Sequence, residues 1–296
     1  MKNINEQASN VVDIVGKVVS VSTRSGKTST GKPYESVNLI VRVEENIEGQ
    51  KGISEIPISF FASQYTKTGK INPVYETVQK LKNLKTIETS GVNGAESVHI
   101  SRANLQENYY VAKSGQLVDG WQLRGSFCNS VKDTAPQAAK FNVDLFILGM
   151  RDEETKDGDS TGRMIVKGAI VQYEGNLDVI EFIVEDPEKV NYLQRNWEEN
   201  QTVHVCGRIR YTVSEVQKPV ETSSWGETMS ETSSRTIREL IITGGNDNPF
   251  EEDMAYDPVE IKKAFNVRKA KMEQKQVEAK NAAPKTAETP TKFDWE

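Results

Sequence analysis

Apolar and polar residues alternate along much of this chain with a period of two, in short runs bounded by turn-forming residues, the mark of half-buried strands. Residues 14–24 (IVGKVVSVSTR) are rich in β-branched side chains, and residues 25–33 supply the Ser, Gly and Pro of a hairpin loop. In residues 34–43, Val37, Leu39, Val41 and Val43 share one face while Tyr34, Ser36, Asn38 and Arg42 share the other. A third strand at 53–61 ends in Phe60 and Phe61, which point to opposite faces, so one of them is exposed. Asn72-Pro73 opens a helix over 74–84, with Val74, Val78 and Leu81 on one stripe. Residues 86–90 and 97–101 read as two more short strands.

The second half repeats this order. Residues 121–131 match the first strand, with Gly125 placed like Gly16. Residues 141–148 match the second, with Lys140, Asn142 and Phe146 outward. Residues 163–173 and 177–184 form a hairpin, Asp186-Pro187 caps a helix over 188–197, and 203–211 and 237–243 supply the last strands. Three strands, a helix and two strands is the element order of an OB barrel. The expected fold is all-β with short helices: two tandem five-stranded OB-type barrels and a disordered, charged C-terminal tail. The expected boundaries are 1–102, a connection at 103–119, 120–245, and a tail at 246–296 in which Asp257-Pro258 caps a helix at 258–282. Trp121 and Trp197, beginning a strand and ending a helix, read as core residues.

Composition sharpens this picture. The 296 residues suffice for two cores, and no run approaches the ~18 consecutive apolar residues of a membrane span. The first ten residues are polar, unlike a secretory signal, so the two cysteines are expected reduced, in a cytoplasm. The net charge of −6 argues against coating duplex DNA with a basic surface, yet leaves room for a local cationic groove. His99 and His204 stand in strands without zinc-ligand spacing, and Ser25-Gly-Lys-Thr lacks the first glycine of a phosphate-binding loop. No nucleophile–base pair emerges, so no catalytic residue, metal or cofactor is expected, and the chain reads as a binding protein rather than an enzyme.

The run VHVCGRIRY, a polar loop, RELIITGG and an acidic tail resemble bacterial and phage single-stranded DNA-binding proteins over residues 121–245 and the tail. Two barrels in one chain resemble phage and replication-protein-A-like arrangements. The resemblance implies binding of single-stranded DNA in replication, recombination or repair, in the cytoplasm (the host's, for a phage protein), with a tail that recruits partner proteins. Such binding needs cations for phosphates and flat side chains for bases. The candidates are Lys17, Arg24, Lys27, Lys32, Tyr34 and Arg42 in the first barrel. In the second they are Arg124, Lys140, Phe146, Arg163, Lys167, Arg208 and Arg210, with Trp225 in a Ser-rich loop. Phe250, Phe293 and Trp295 are the tail candidates, each aromatic beside acids. The usual Pro-Phe terminus of the resembled family is absent. Two readings stand beside this one: a protein–protein scaffold with the barrels as docking modules, and an RNA-preferring single-strand binder.

Overall fold

The computed structural model describes residues 1–296 except 29–30, 48, 67, 113–116, 119, 219–230 and 283–296. Two rings of antiparallel and parallel strands, joined along one ladder, make up its body. The first begins with three long strands, β1 (Asn10–Lys27), β2 (Pro33–Ile47) and β3 (Gln50–Ser63). Helix α1 (Pro73–Leu81) follows, capped by the Asn72 side chain, which accepts from the Val74 amide at 3.0 Å. Its Val78 and Leu81 are buried against the barrel.

Residues 86–90, expected as a strand, instead start helix α2 (Ile87–Gly94). The reason is local: the Thr86 hydroxyl accepts from the Thr89 amide and the Thr89 hydroxyl accepts from the Thr86 amide, a reciprocal capping box. Strand β4 (Ser97–Glu107) runs well past residue 101. A two-residue pair, β5 (Tyr110–Val111) with β6 (Leu117–Val118), leads into β7 (Trp121–Val131).

Strand β7 does not open a second barrel. It pairs in parallel with β3 and antiparallel with β4, while β4 returns to β1, so the first ring closes as β1-β2-β3-β7-β4. The packing reason is specific. A Cβ at Gly125 would lie 2.4 Å from the Phe60 ring, so the glycine makes the space into which this fully buried phenylalanine fits. Strands β4 and β7 are therefore the last two strands of one ring.

The second ring starts with β8 (Ala138–Glu154) and continues through β9 (Ser160–Val171) and β10 (Leu177–Val184). Helix α3 (Pro187–Asn196) is capped by Asp186, whose carboxylate accepts from the Glu188 amide at 2.9 Å. Strands β11 (Thr202–Lys218) and β12 (Glu231–Gly245) complete it: β10 pairs in parallel with β12, and β11 pairs with both β12 and β8. Each ring thus has the OB connectivity, with a helix between its third and fourth strands. Phe141 and Phe182 fill the second barrel, with ring centroids 5.5 Å apart, as Phe60 and Leu39 fill the first.

The barrels share a sheet. The first half of β1, Asn10 to Val15, pairs antiparallel with β8 while its residues 12–17 also pair with β4. Of the tail, residues 246–282 are described, and the barrels hold them. Tyr256 is buried and donates its hydroxyl to the Glu6 carbonyl at 2.7 Å, and its amide donates to the Thr202 hydroxyl at 3.0 Å. Helix α4 (Pro258–Ala282) starts at Asp257, whose carboxylate accepts from the Val259 amide at 2.8 Å, and it buries Ile261. Arg268 on α4 then pairs with Glu107 at the end of β4. Among the described residues, no helix is long and apolar enough to cross a membrane.

Candidate nucleic-acid interface

On the first barrel the pairing registers bring polar and aromatic side chains into rows across the outer face. One row runs Ser22, Asn38, Ser59, Arg124, Asn104, and the next runs Arg24, Ser36, Phe61. Paired residues point to the same side of a sheet, so each row is a continuous strip. Phe61, 39% exposed, is the aromatic centre. The Tyr34 ring lies 4.9 Å from it at 35°, and the Arg124 guanidinium lies 5.5 Å from its centroid on the other side. Tyr34 in turn lies along the hairpin because Gly26 leaves it room; a Cβ there would fall 2.8 Å from its hydroxyl. Nearby on β4 and β7, Arg102 sits 6.0 Å from the exposed Phe127 ring. Arg24, Lys27, Lys32, Arg102 and Arg124 are all exposed, and among the described residues none forms an ion pair. This face therefore offers flat rings flanked by uncompensated cations.

The second barrel is different. Arg163, Arg208 and Arg210 do come together on its outer face, as expected, but each is held by carboxylates. Arg208 donates to Glu185 at 2.8 Å, Arg210 bridges Glu185 and Glu239, and Arg163 donates to Glu239 at 2.7 Å and approaches Glu153 at 3.3 Å. Three guanidiniums meet three carboxylates, so the cluster is neutral. Burial pushes the Glu239 carboxyl up, but the hydrogen bonds from Arg163 and Arg210 outweigh it and hold the group below the usual carboxylate range.

The remaining candidates divide the same way. Lys140 and Lys167 are exposed and form no ion pair among the described residues. Lys17 is tied to Asp133 at 2.8 Å and to the Val92 carbonyl at 2.9 Å, and Arg42 to Glu55 at 2.6 Å. Arg124 belongs to the first ring rather than the second. Phe146, expected outward, is 2% exposed and lies in the core. It is paired with Thr202, and over that strand lies the tail, through the Tyr256 amide on the Thr202 hydroxyl, so the outer face of β8 is covered there. Phe250 is half-buried, its amide donating to the Thr202 carbonyl at 2.8 Å. Trp225, Phe293 and Trp295 lie outside the described residues.

Phe61, Arg102, Phe127 and Arg238 stand outside the candidate set drawn from the sequence. Phe61 has a sequence signal in its outward alternation with Ser59 and Ser63, opposite the inward Phe60. Arg238 also has one, since it occupies the same alternation as the buried Leu240 and Ile242. It lies where the two barrels meet, with its guanidinium 4.3 Å from the Trp121 ring of β7 and 5.9 Å from the Tyr211 ring of β11.

Two closed rings of OB connectivity, one bearing an open aromatic and cationic face, define a tandem OB-barrel protein. A family model described as YorF matches residues 8–278. The chain belongs to the YorF family. No curated protein matches it. Among solved structures, the wild-type single-stranded DNA binding protein from Thermus aquaticus is similar with a TM-score of 0.51 at 9% identity, covering 86% of this chain and 99% of that one. A deletion mutant of the same Thermus aquaticus protein gives 0.47 at 13% identity, covering 85% and 98%. The wild-type likeness shows a shared fold across nearly the whole of that chain.

Proposed function

We propose that this protein binds single-stranded DNA without sequence preference across the outer face of the first barrel, protecting the strand during replication, recombination or repair. The observation that carries this reading is the exposed Phe61 ring, held between Tyr34 and Arg124 on strands two, three and five of an OB barrel, beside Arg24 and Lys27, which have no carboxylate partner among the described residues. Bases of any kind stack on such a ring, and the flanking cations meet the phosphates. The polar row Ser22, Asn38 and Ser59 adds hydrogen-bonding groups beside the ring, within reach of a base or a phosphate. The likeness to the Thermus aquaticus protein, whose description names single-stranded DNA as its ligand, supports the same reading.

The place of action is the cytoplasm, the host's if the chain is phage-encoded: Cys128 and Cys206 are free thiols, and burial pushes the Cys128 thiol up to about 12, leaving it inert. The chain end, with Phe293 and Trp295 among acids, recruits replication or recombination proteins.

The test is fluorescence anisotropy of labelled oligo-dT at several salt concentrations, beside oligo-U and a duplex of equal length. Tight, salt-sensitive binding to oligo-dT with weak binding to duplex is the expected result. Preference for oligo-U makes it an RNA binder. No single-strand binding at low salt sinks the reading and leaves a docking scaffold.

A further inference from the structure

The open face of the first barrel does not account for Arg238. Among the described residues, its buried Nε has no hydrogen-bond partner and no carboxylate pairs with its guanidinium, although Arg163, Arg208 and Arg210 nearby each have one. A desolvated cation left without a counter-charge costs folding free energy. Burial accordingly lowers its pKa below the ordinary arginine value. The aromatic faces of Trp121 and Tyr211 return part of that cost, but the buried Nε still lacks an acceptor among the described residues.

The guanidinium borders a groove of about 480 Å³ between the start of β7 and the outer face of β9 and β10, a size in the range of ligand sites. Its floor is apolar, formed by Ile165, Val179 and Ile183, each under 9% exposed. Its walls carry Glu153, Glu181 and Glu239 against Lys167 and Arg238. The three acids are already engaged: Glu153 and Glu239 by Arg163, and Glu181 by Arg151 at 3.4 Å, although Lys167 is the cross-strand neighbour of Glu181. Taking Arg151, Arg163, Arg208 and Arg210 against Glu153, Glu181, Glu185 and Glu239, the ion-pair network is neutral. Among the described residues, Lys167 and Arg238 remain as the two lining cations outside that ion-pair network, above the groove's apolar floor. Along β7 the groove and the face assigned above are roughly 10 Å apart, Trp121 standing three residues from Arg124 with its side chain on the opposite side of the strand.

We propose that this groove at the seam of the barrels is a nucleotide subsite, seating one nucleotide of the bound single strand with its phosphate on Arg238 and Lys167 and its base against Ile165, Val179 and Ile183. The assignment rests on the single-strand reading and extends the strand's path from the first barrel onto the second. Residues of both barrels form it, so neither barrel alone holds the site.

The experiment uses the full chain and follows the indole N–H resonance of Trp121, assigned with Trp121→Phe, during titration with short and long oligo-dT and with thymidine monophosphate. In parallel, the salt slope of oligo binding is measured for Lys167→Gln, whose side chain is exposed and whose fold is not at risk, and for Arg238→Gln. The long oligomer shifts the Trp121 resonance and the short one does not, and each variant lowers the slope by about one unit on the long oligomer only. If the long oligomer binds tightly, yet the resonance stays put and Lys167→Gln keeps the wild-type slope, the subsite is wrong while the single-strand reading stands. If no oligomer of any length binds, the single-strand reading itself has failed. A shift with thymidine monophosphate and none with the strand overturns the assignment in favour of a free-nucleotide site.

Discussion

Phe60 and Phe61 are neighbours in sequence with opposite tasks, and replacing each by alanine separates binding from stability. Phe61 is 39% exposed and touches Tyr34 and Arg124. Its loss removes one base-stacking surface, worth about 1–3 kcal/mol, or about 5- to 140-fold in Kd. The folded state loses mainly the Tyr34 ring contact, about 0.5–1.5 kcal/mol. Phe60 is fully buried against Gly125, and truncating it costs about 3–5 kcal/mol of stability through the cavity left behind. The assay pairs oligo-dT anisotropy with urea unfolding on both variants. Phe61→Ala weakens binding with its salt slope unchanged, because stacking releases no counterion, whereas Arg124→Ala lowers the slope by about one unit. Wild-type affinity in Phe61→Ala, with folding intact, would remove the ring from the interface and refute the reasoning.

Further outcomes follow from the packing and the ion pairs. Gly125→Ala drives a methyl to 2.4 Å from the Phe60 ring and costs about 1–3 kcal/mol by urea unfolding, part of which Phe60→Leu restores in the double variant; a Gly125→Ala protein as stable as wild type contradicts that contact. Burial pushes the Asp178 carboxyl up from 3.8 to about 6, so its ionisation opposes folding: the penalty is absent below pH 3.8, grows as pH rises to 6, and is complete above. Asp178→Asn accordingly gains up to about 3 kcal/mol at pH 8 and almost nothing at low pH, read from urea midpoints across that window. Glu239 behaves oppositely: its carboxyl is held low by Arg163 and Arg210, so its stabilisation is present above the ordinary glutamate range and is lost as pH falls through the depressed value. Arg163→Gln lowers the unfolding midpoint at pH 7 and loses much of that effect on acidification; a pH-independent effect would show that the pair contributes no such linkage.

What sequence carries about this protein depends on how local the determinant is. The caps at Asn72, Asp186 and Asp257 are local, and all three start helices where the residue pairs place them. The alternation in residues 34–43 is local too, and Val37, Leu39, Val41 and Val43 are all inside. Thr86 and Thr89 were equally legible as a capping pair, but a short β-branched run hides it among strand signals. The place of β7 is not local. An opening strand and a closing strand have the same alternation, and only the fit of Phe60 over Gly125, far apart in sequence, marks 121–131 as closing the first ring. The candidate cations fail in the same way. Parity brings Arg208 and Arg210 to one face, but whether they are free depends on Glu185 and Glu239 from other strands, which no spacing reveals. Phe146 is hidden by a tail that begins about a hundred residues later.

The ladder between β1 and β8 bears on any attempt to divide the chain. Cutting in the connection between β7 and β8 leaves every strand of each ring in its own fragment, so each half retains the means to close. Yet each fragment then bares a six-residue edge, Asn10 to Val15 on one and Ala138 to Val143 on the other, where the amides and carbonyls that faced the shared ladder have lost their partners. Bare edges recruit strands from other molecules. The fragments are complementary when mixed and self-associating when kept apart, and the intact chain avoids this by keeping both edges in one molecule.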